Sequence, residues 1–502
     1  MLSWRSRFPD DRVTIERVPE VALLLLLVFP LVRTAASPGL RRRFQAFPPI
    51  QQILTVGLAL YVLVVVLLIL FSPVLLRWAA VLAGVILIGE AWQRRSSFGT
   101  RRGMPPGSLA VLPAGPWSDP DYYRKTAERF GPVFKFRHLI DPAVAIVGLQ
   151  RVSEFLRKNE EQLLIPPAPF NAIVPGGFVR YLSGREHLGV AETLRSAVTP
   201  RVIDSNADEF RRESRSALDA IAGGAPAAAA IDRMVLAEMM TCFLGVQAGQ
   251  RFERLELLFN DADYRQLARH GRASARAAMM QIIDEIRGLP VTGTSSFLSE
   301  LAGAHPKALQ SDEIVGNFAY ALHTARIDVS GLLVWVIAVL GANPSWVSRL
   351  RDDICERPAE AACNGGLADR IVRETLRLRQ SEFLLRRTKA PVEFEGFTIP
   401  AGWHVRLCIA ESHRAPDVFE NPDSFDPERF SRSMSRSRYA PFGFAPHLCP
   451  GEHLARVMGR HLVVELALAW DISVSNVEPW EFSGFHWRPS GSMQVALQRR
   501  SS

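Results

Sequence analysis

The segment from 53 to 71, ILTVGLALYVLVVVLLILF, contains no charged side chain. As an α-helix it is long enough to cross about 30 Å of hydrocarbon. The sequence therefore predicts a membrane-spanning helix at 53–71. The alternative, a buried helical hairpin in a soluble protein, is less favoured because so long an uncharged run is uncommon in a globular core.

A second apolar run at 74–92 follows Ser72-Pro73 and is interrupted only by Arg77 and Glu90, near its two ends. Because such charges can reach the membrane interface, we expect a second span there. The apolar segment 21–32 is shorter and contains a proline, which favours an interfacial position. These segments define a predicted N-terminal membrane region at 1–103.

Arginine clusters at 41–43 and 94–102 flank this hairpin. Two spans place both clusters on the same side, which the positive-inside rule assigns to the cytoplasm. Five widely spaced cysteines also argue for a reducing compartment rather than a disulfide framework. We therefore expect the remaining domain, 104–502, to be cytoplasmic.

The composition narrows the possible classes of function. The chain has 502 residues, is 48% hydrophobic and carries a net charge of +8, so it can bury a large core. Its arginines are scattered rather than interleaved with aromatic residues in a stripe, so we expect no nucleic-acid partner. The arginine- and alanine-rich usage points to a bacterial genome.

The region 104–502 is predicted to be mainly α-helical with small β-sheets, an α+β class. Helical apolar periodicity recurs at 203–222, 231–246, 250–287, 311–342, 344–356, 367–379 and 451–470. Strand-like segments are fewer and include VFKFRH, AVAIVG, VEFEGFTI and HVRLCIA.

Cys449 lies in the glycine- and proline-rich stretch PFGFAPHLCPGEHLA, whereas the other four cysteines are expected to be small buried residues. Pro450 is a good first residue for a helix, and the positive helix N-terminus favours a thiolate, the form that binds metals. Gly443 and Gly451 allow a flat ligand to approach closely. His447 is placed to face an anionic group of the same ligand.

This stretch resembles the haem-binding loop of the cytochrome P450 superfamily. The matching positions are Phe442, Gly443, His447, Cys449 and Gly451. The family's second glycine is replaced by Ala445, which we expect to alter the packing of the loop only slightly. The resemblance implies haem b with Cys449 as the iron ligand.

Two further motifs precede the loop in the order that the family has them. RETLRLR places Glu374 and Arg377 one helical turn apart, and HRAPDVFENPDSFDPERF resembles the family's meander, which contains Arg429. The resemblance implies a buried structural network of these three side chains.

Two residues farther upstream are similar to propionate-binding positions of the family. His187 lies in GREHLGVAETLRSAVTP, a segment resembling the helix across the haem face, although Ala191 replaces an expected arginine. Arg386 lies in a segment resembling the strand pair after the Glu-x-x-Arg helix. Arg386, His447 and His187 are thus expected to neutralise two propionates.

The segment 313–344 resembles the helix that runs over the distal haem face, but it lacks the family's acid-threonine pair. Asp328 falls on either the acid or the threonine position, depending on the register. Ser330 is the nearest hydroxyl, and Arg326 is an unusual neighbouring charge. Asp328 is predicted to relay protons; alternatively Arg326 grips an acidic substrate, or the two residues form an ordinary helix-surface pair.

The favoured function is a membrane-anchored monooxygenase that inserts one oxygen atom from O₂ into an apolar small molecule. No flavin or nicotinamide module follows the haem domain, so electrons are expected from a ferredoxin, flavodoxin or reductase. The missing threonine keeps a peroxide-dependent or non-oxidative enzyme (peroxygenase, dehydratase or isomerase) as an alternative. A membrane-tethered scaffold without haem, in which His447, Cys449 and His453 bind zinc or nothing, is a third.

Overall fold

The computed structural model describes residues 81, 103–109, 116, 119–138, 141–166, 169–263, 267–293, 295–356, 363, 365–380, 383–483 and 486–500. The chain divides into two compact units, Met1–Ser72 and Pro73–Ser502, and every described residue belongs to the second. The predicted spans and the segment 21–32 lie outside the described residues, apart from position 81, which is helical. The membrane region and its boundary therefore stay predictions.

Helices dominate the described part of the chain. They are α1 Tyr122–Phe130, α2 Leu149–Asn159, α3 Gly184–Ala197, α4 Pro200–Ser205, α5 Ala207–Ala222, α6 Ala227–Met239, α7 Gln250–Asp261, α8 Leu267–Arg287, α9 Phe297–Ala304, α10 Asp312–Ala342, α11 Pro344–Cys355, α12 Gly366–Thr375, α13 Ile409–Ser412 and α14 Glu452–Ala469. Helices α6 and α12 continue as single π-helical segments, Met240–Leu244 and Leu376–Gln380.

The strands are short and form four small sheets. They are β1 Val133–His138, β2 Asp141–Val147, β3 Leu163–Leu164, β4 Leu384–Thr388, β5 Val392–Phe394, β6 Phe397–Ile399, β7 His404–Cys408, β8 Trp470–Ser475, β9 Glu481–Ser483, β10 His486–Arg488 and β11 Gln494–Arg499. The largest sheet has the order β1-β2-β7-β4-β3, in which only β2 and β7 are parallel. The others are two-stranded: β5–β6, β9–β10 and β8–β11.

These elements confirm the predicted class, mainly α with small β-sheets. Two helices predicted as continuous are divided. The segment 203–222 is interrupted by Asn206, which donates its side-chain amide to the Val202 carbonyl (2.8 Å) and ends α4. The segment 250–287 contains two helices, and Gly271 within α8 has a non-helical φ of 76°.

Helix α10 is the central helix of the domain. Ser311 caps its N-terminus by accepting a hydrogen bond from the Ile314 backbone N–H (3.3 Å). The carboxylates of Asp312 and Glu313 in the first turn interact favourably with the positive end of the helix dipole. It is apolar and long enough to cross a membrane, but 78% of its most apolar window is buried inside the protein. It is therefore a core helix, with residues buried on every face.

The hydrophobic core has a large helical part and a smaller part beside the five-stranded sheet. The helical part contains side chains of α6, α10, α12 and α14, for example Trp335 at 1% exposure. The sheet part packs Val144, Ile146 and Leu407 against Phe155 of α2. Each such large apolar side chain contributes about 1.5–3 kcal/mol on burial, so this framework holds the polar residues described below in fixed positions.

Candidate active site

The loop that carries Cys449 is closed by backbone hydrogen bonds. The Cys449 N–H donates to the Phe442 carbonyl (3.1 Å), and Gly443 between them has a φ of 78°, a conformation that favours glycine. Helix α14 begins at Glu452 with Gly451 as its cap, so Pro450 lies just before the helix rather than in its first turn as predicted. A Cβ atom at Gly451 would lie 3.6 Å from the Cys449 sulfur.

The five cysteines differ in their surroundings. Cys242, Cys363 and Cys408 are buried as expected, whereas Cys449 and Cys355 are exposed. For Cys355 the expectation of burial was wrong. It is the last residue of α11, and the buried face of this helix consists of Val347, Leu350 and Ile354. Among these cysteines, Cys449 is the one placed in a closed loop before a long helix.

A cluster of cations and imidazoles lies beside this loop. The rings of His187 and His447 have centroids 4.0 Å apart, and Arg386 is only 4% exposed. Arg386 Nε and His447 Nδ1 are buried and have no hydrogen-bond partner in the described part of the chain. His447 Nε2 lies 3.6 Å from the Glu160 carboxylate. The three residues predicted to bind propionates are therefore brought together.

The electrostatics of this cluster favour an anion. Burial, together with the charges of His187 and Arg386, lowers the pKa of His447 to about 3. Burial and the nearby Arg195 also lower the pKa of His187, and burial lowers the pKa of Arg386. Each of these groups would be stabilised in its charged form by a bound dianion. The buried unpartnered nitrogens and the cysteine loop thus fit a haem with two propionates.

Glu374 and Arg377 form a fully buried pair, and both side chains have 0% exposure. Arg377 Nε and Nη2 each donate to a Glu374 oxygen at 2.7 Å, and Glu374 also accepts the Asp426 backbone N–H (3.0 Å). Arg377 Nη1 donates to the carbonyls of His413 (2.8 Å) and Pro422 (2.7 Å). The pair therefore fixes the segment that leads to the Cys449 loop.

Arg429 is a weaker member of this network than the sequence predicts. Its Nε atom lies 3.4 Å from Glu374 Oε1, an ion-pair distance, but lacks hydrogen-bond geometry. Its Nη2 atom donates to the Asn421 carbonyl (2.9 Å). Arg429 thus closes the 421–429 turn and only adds charge to the pair.

Asp328 of α10 lies beside His486 of the β9–β10 hairpin. His486 Nε2 lies 3.1 Å from Asp328 Oδ1. Burial favours a raised pKa for Asp328, but the His486 hydrogen bond and the charges of Arg180 and Arg488 outweigh it and lower that pKa. The sequence singled out Asp328 and missed His486, which lies 158 residues away in a hairpin whose strands have three residues each.

Arg326 and Ser330 occupy a different face of α10. Arg326 donates from Nε (3.2 Å) and Nη2 (2.5 Å) to Asp232 of α6, and from Nη1 to Asn260 (3.3 Å). The Ser330 hydroxyl donates to the same Asp232 carboxylate (2.9 Å). The predicted catalytic roles of Arg326 and Ser330 do not fit this arrangement, because Asp232 already neutralises the guanidinium and holds the hydroxyl.

The zinc-binding alternative finds no support in this geometry. Among the described residues, which include His447, Cys449 and His453, no three histidine, cysteine, aspartate or glutamate side chains converge on a common point. Instead, His453 Nε2 lies 3.8 Å from Asp204.

His413 gives a test of how the loop is anchored. Its Nε2 atom accepts the Ala440 backbone N–H (3.0 Å), and burial together with the Arg377 charge lowers its pKa to about 3. A histidine that is neutral when folded and has a pKa near 6.5 when unfolded loses stabilisation as the pH falls below 6.5. Glutamine cannot titrate at this position. Between pH 7 and pH 5 we therefore expect the free energy of unfolding of wild type to fall by about 2 kcal/mol more than that of His413→Gln.

The measurement is the free energy of unfolding against pH for wild type and variant. His138 and His461, whose pKa values burial also lowers, remain in both proteins, so the difference between the curves reports His413. The exposed His305→Gln variant is the control and should leave the pH dependence unchanged. Parallel curves for wild type and His413→Gln would contradict the prediction.

The chain is similar in sequence to known proteins. The family described as Cytochrome P450 matches residues 308–487. Abscisic acid 8'-hydroxylase 2 of Oryza sativa subsp. indica is 25% identical over 464 residues, covering 82% of this chain and 89% of the relative. Abscisic acid 8'-hydroxylase 1 of Arabidopsis thaliana is 22% identical over 438 residues, covering 79% and 91%.

Two solved structures share the fold. A retinoic acid bound cyanobacterial CYP120A1 superposes with a TM-score of 0.67 at 22% identity, covering 79% of this chain and 100% of that one. A zebrafish cytochrome P450 with abiraterone gives a TM-score of 0.62 at 17% identity, covering 75% and 98%.

Proposed function

We propose that this chain is a haem-thiolate monooxygenase of the cytochrome P450 superfamily and that it hydroxylates an apolar carboxylic acid. One observation carries the assignment of its site: Cys449 lies in a loop closed onto Phe442, beside buried Arg386 and His447 nitrogens that have no partner among the described residues. This combination of a thiol and buried cationic groups suits an iron porphyrin with two carboxylates.

In this proposal Cys449 Sγ ligates haem b, and Arg386, His447 and His187 hold the two propionates. When bound, the haem supplies the reductive activation of dioxygen, and thiolate ligation favours O–O cleavage. The Glu374–Arg377 pair fixes the segment before the loop and so orients the thiol. Asp328 is assigned to handling protons on the distal side, while Arg326 and Ser330 hold α10 against α6.

The substrate class is supported by the relatives. Abscisic acid and retinoic acid, which appear in the names of relatives and of one structure, both combine an apolar ring and chain with a carboxylate. Arg180 acts electrostatically on both Asp328 and His447, so a cation lies within reach of the distal space. We propose that the positive potential there favours substrates with one carboxylate.

The surroundings of the domain follow from the sequence. In this proposal the uncharged segment 53–71 anchors the protein in a membrane, with the haem domain on the cytoplasmic side. The expected bacterial host is not supported, because the relatives named above are plant proteins. Electrons come from a separate ferredoxin, flavodoxin or reductase.

The peroxide-dependent alternative is kept because α10 lacks the acid-threonine pair that the family resemblance leads us to expect. Product formation from hydrogen peroxide, without any electron donor and at a rate comparable to that of the complete system, would favour it. Dependence on reductant and O₂ would favour the monooxygenase.

Binding spectra of the haem-loaded protein test the proposed substrate class. We expect retinoic acid or abscisic acid to shift the iron spin state with a dissociation constant about tenfold lower than that of its methyl ester, because one ionic contact contributes about 1.4 kcal/mol. The ester is a matched control, since it keeps the apolar body and lacks the charge. Equal affinities for acid and ester would contradict a carboxylate substrate, and absence of a thiolate-type spectrum of the reduced carbon monoxide complex would refute the family's chemistry in this chain.

A further inference from the structure

The Asp328 side chain is accessible although its neighbours on α10 are buried. It lies in the middle of α10, between Ile327 and Val329, which are 7% and 6% exposed, yet its own side chain is 47% exposed. Arg180 acts electrostatically on both Asp328 and His447, which places this carboxylate and the propionate cluster within reach of one guanidinium. The Asp328 carboxylate is therefore directed toward the distal side of the proposed haem site.

The hairpin β9–β10 brings His486 to Asp328, and contacts on both sides hold it there. Trp335 Nε1 donates to the Trp487 carbonyl (2.9 Å), and Arg488 Nη2 donates to the Ile327 carbonyl (2.9 Å). Gly331 makes room for the Arg488 guanidinium, since a Cβ atom at this position would collide with it. These contacts fix the neighbour of His486 in the strand, so the 3.1 Å approach of Nε2 to Asp328 follows from the docking of the hairpin.

His486 also lines a small cavity of mixed polar and apolar character. This cavity has a volume of about 70 Å³, enough for two water molecules, and its lining includes Asp121, Arg379, Arg414 and His486. It reaches partly exposed residues, since Asp121 keeps 25% of its side chain accessible. His486 Nδ1 is buried and has no partner among the described residues, so a cavity water can serve it. The imidazole thus stands between a water-sized cavity and the distal carboxylate.

We propose that His486 and Asp328 form a relay that carries protons from this cavity to the distal side of the haem site, a role that rests on the proposed monooxygenase function. The overall reaction, RH + O₂ + 2e⁻ + 2H⁺ → ROH + H₂O, consumes two protons and takes two electrons from the separate donor. A proton arriving from water at His486 Nδ1 releases the Nε2 proton to Asp328 Oδ1, which holds it on the distal side, where the reaction consumes protons together with the two electrons. Rotation of the ring restores the starting tautomer.

The pair places a carboxyl, which receives its proton from an imidazole, at the point of delivery. Because the pKa of Asp328 is lowered by its surroundings, the carboxyl holds a proton only briefly and passes it on readily. Loss of either member should therefore slow protonation, and dioxygen reduced by two electrons then leaves as hydrogen peroxide, O₂ + 2e⁻ + 2H⁺ → H₂O₂.

The test compares His486→Gln, Asp328→Asn and the double variant in the haem-loaded full-length protein. Glutamine can keep a hydrogen bond to Asp328 but cannot carry a proton. With a surrogate ferredoxin and its reductase as donor, we expect each single variant to raise the fraction of electrons recovered as hydrogen peroxide at least threefold and to change the solvent deuterium isotope effect. The double variant should add nothing further, since the two groups act in series.

His305→Gln is the matched control, because it makes the same change of side chain at an exposed histidine outside the hairpin and leaves His486 and Asp328 in place. It should retain the wild-type peroxide fraction. An equal rise in His305→Gln would show that the relay does not cause the effect and would overturn it, as would a wild-type peroxide fraction and isotope effect in His486→Gln.

Melting temperatures give a readout that is independent of turnover. If the two side chains are paired, the losses in melting temperature caused by the single variants should not be additive in the double variant. Additive losses would overturn the pairing. If the wild-type protein shows no haem spectrum, the proposed monooxygenase function is refuted. The melting temperatures would still test the interaction between Asp328 and His486.

Discussion

Replacing Cys449 with alanine is expected to abolish monooxygenase activity and the thiolate-type spectrum of the reduced carbon monoxide complex. The physical reason is that in the proposed site the Cys449 sulfur ligates iron, from a loop closed by the Cys449 N–H···Phe442 hydrogen bond (3.1 Å). Without a thiolate the axial donation that favours O–O cleavage is lost. We expect at least a thousandfold decrease in turnover, in the range found when a residue essential to chemistry is removed.

Cys355→Ala is the matched control for this experiment. Cys355 is also exposed, but it lies at the end of α11, outside the Cys449 loop. It should keep the wild-type spectrum and turnover, and the melting temperatures of both variants should show that each protein is folded. A Cys449→Ala protein with full colour and turnover would refute cysteine ligation by this residue.

Motifs with short spacing were predictable from the sequence. The Cys449 loop needs glycine at a positive φ and a helix directly after it, and both requirements are visible within a dozen residues. The spacing of Glu374 and Arg377 places them on one helical face, and the structure joins them by two hydrogen bonds of 2.7 Å. The sequence could also indicate His187 and Arg386, but only through the resemblance to a family.

The orientation of α10 was not predictable. Because this helix is buried on every face, no polar stripe reveals which residues meet α6 and which face the distal space. Arg326 and Ser330 were therefore assigned to catalysis, although their separation of four residues was a sign that they share a face and a partner. Their partner, Asp232, lies 94 residues before Arg326 and carries no signal of its own.

His486 was missed for a different reason. A hairpin with three-residue strands has too few alternating positions for a periodic signal, so nothing in the sequence places it beside α10. Its position depends on tertiary contacts such as the Arg488 bond to the Ile327 carbonyl. Residues that act through such distant pairs are found only once the fold is known.

The Glu374–Arg377 pair leads to the second large effect, a loss of stability of about 3–5 kcal/mol in Arg377→Met. Burial raises the pKa of Glu374 even though Arg377 opposes this shift, so the ionised carboxylate is tolerated only while the guanidinium is present. Methionine fills a similar volume but leaves that carboxylate without its partner and frees the carbonyls of His413 and Pro422. We expect the free energy of unfolding and the haem content after purification to fall together, because the freed segment leads to the Cys449 loop.

Arg429→Met is the matched control for the same change of side chain. Arg429 is 11% exposed, and its 3.4 Å approach to Glu374 lacks hydrogen-bond geometry, so its loss should cost only about 1 kcal/mol. Adding Glu374→Gln to Arg377→Met should recover part of the loss, because the uncompensated buried charge is then removed. Two results would contradict a central role for the Glu374–Arg377 charge pair: equal losses of stability in Arg377→Met and Arg429→Met, or a double variant less stable than Arg377→Met. Either result would assign the stabilisation to the hydrogen bonds that Arg377 donates to three carbonyls.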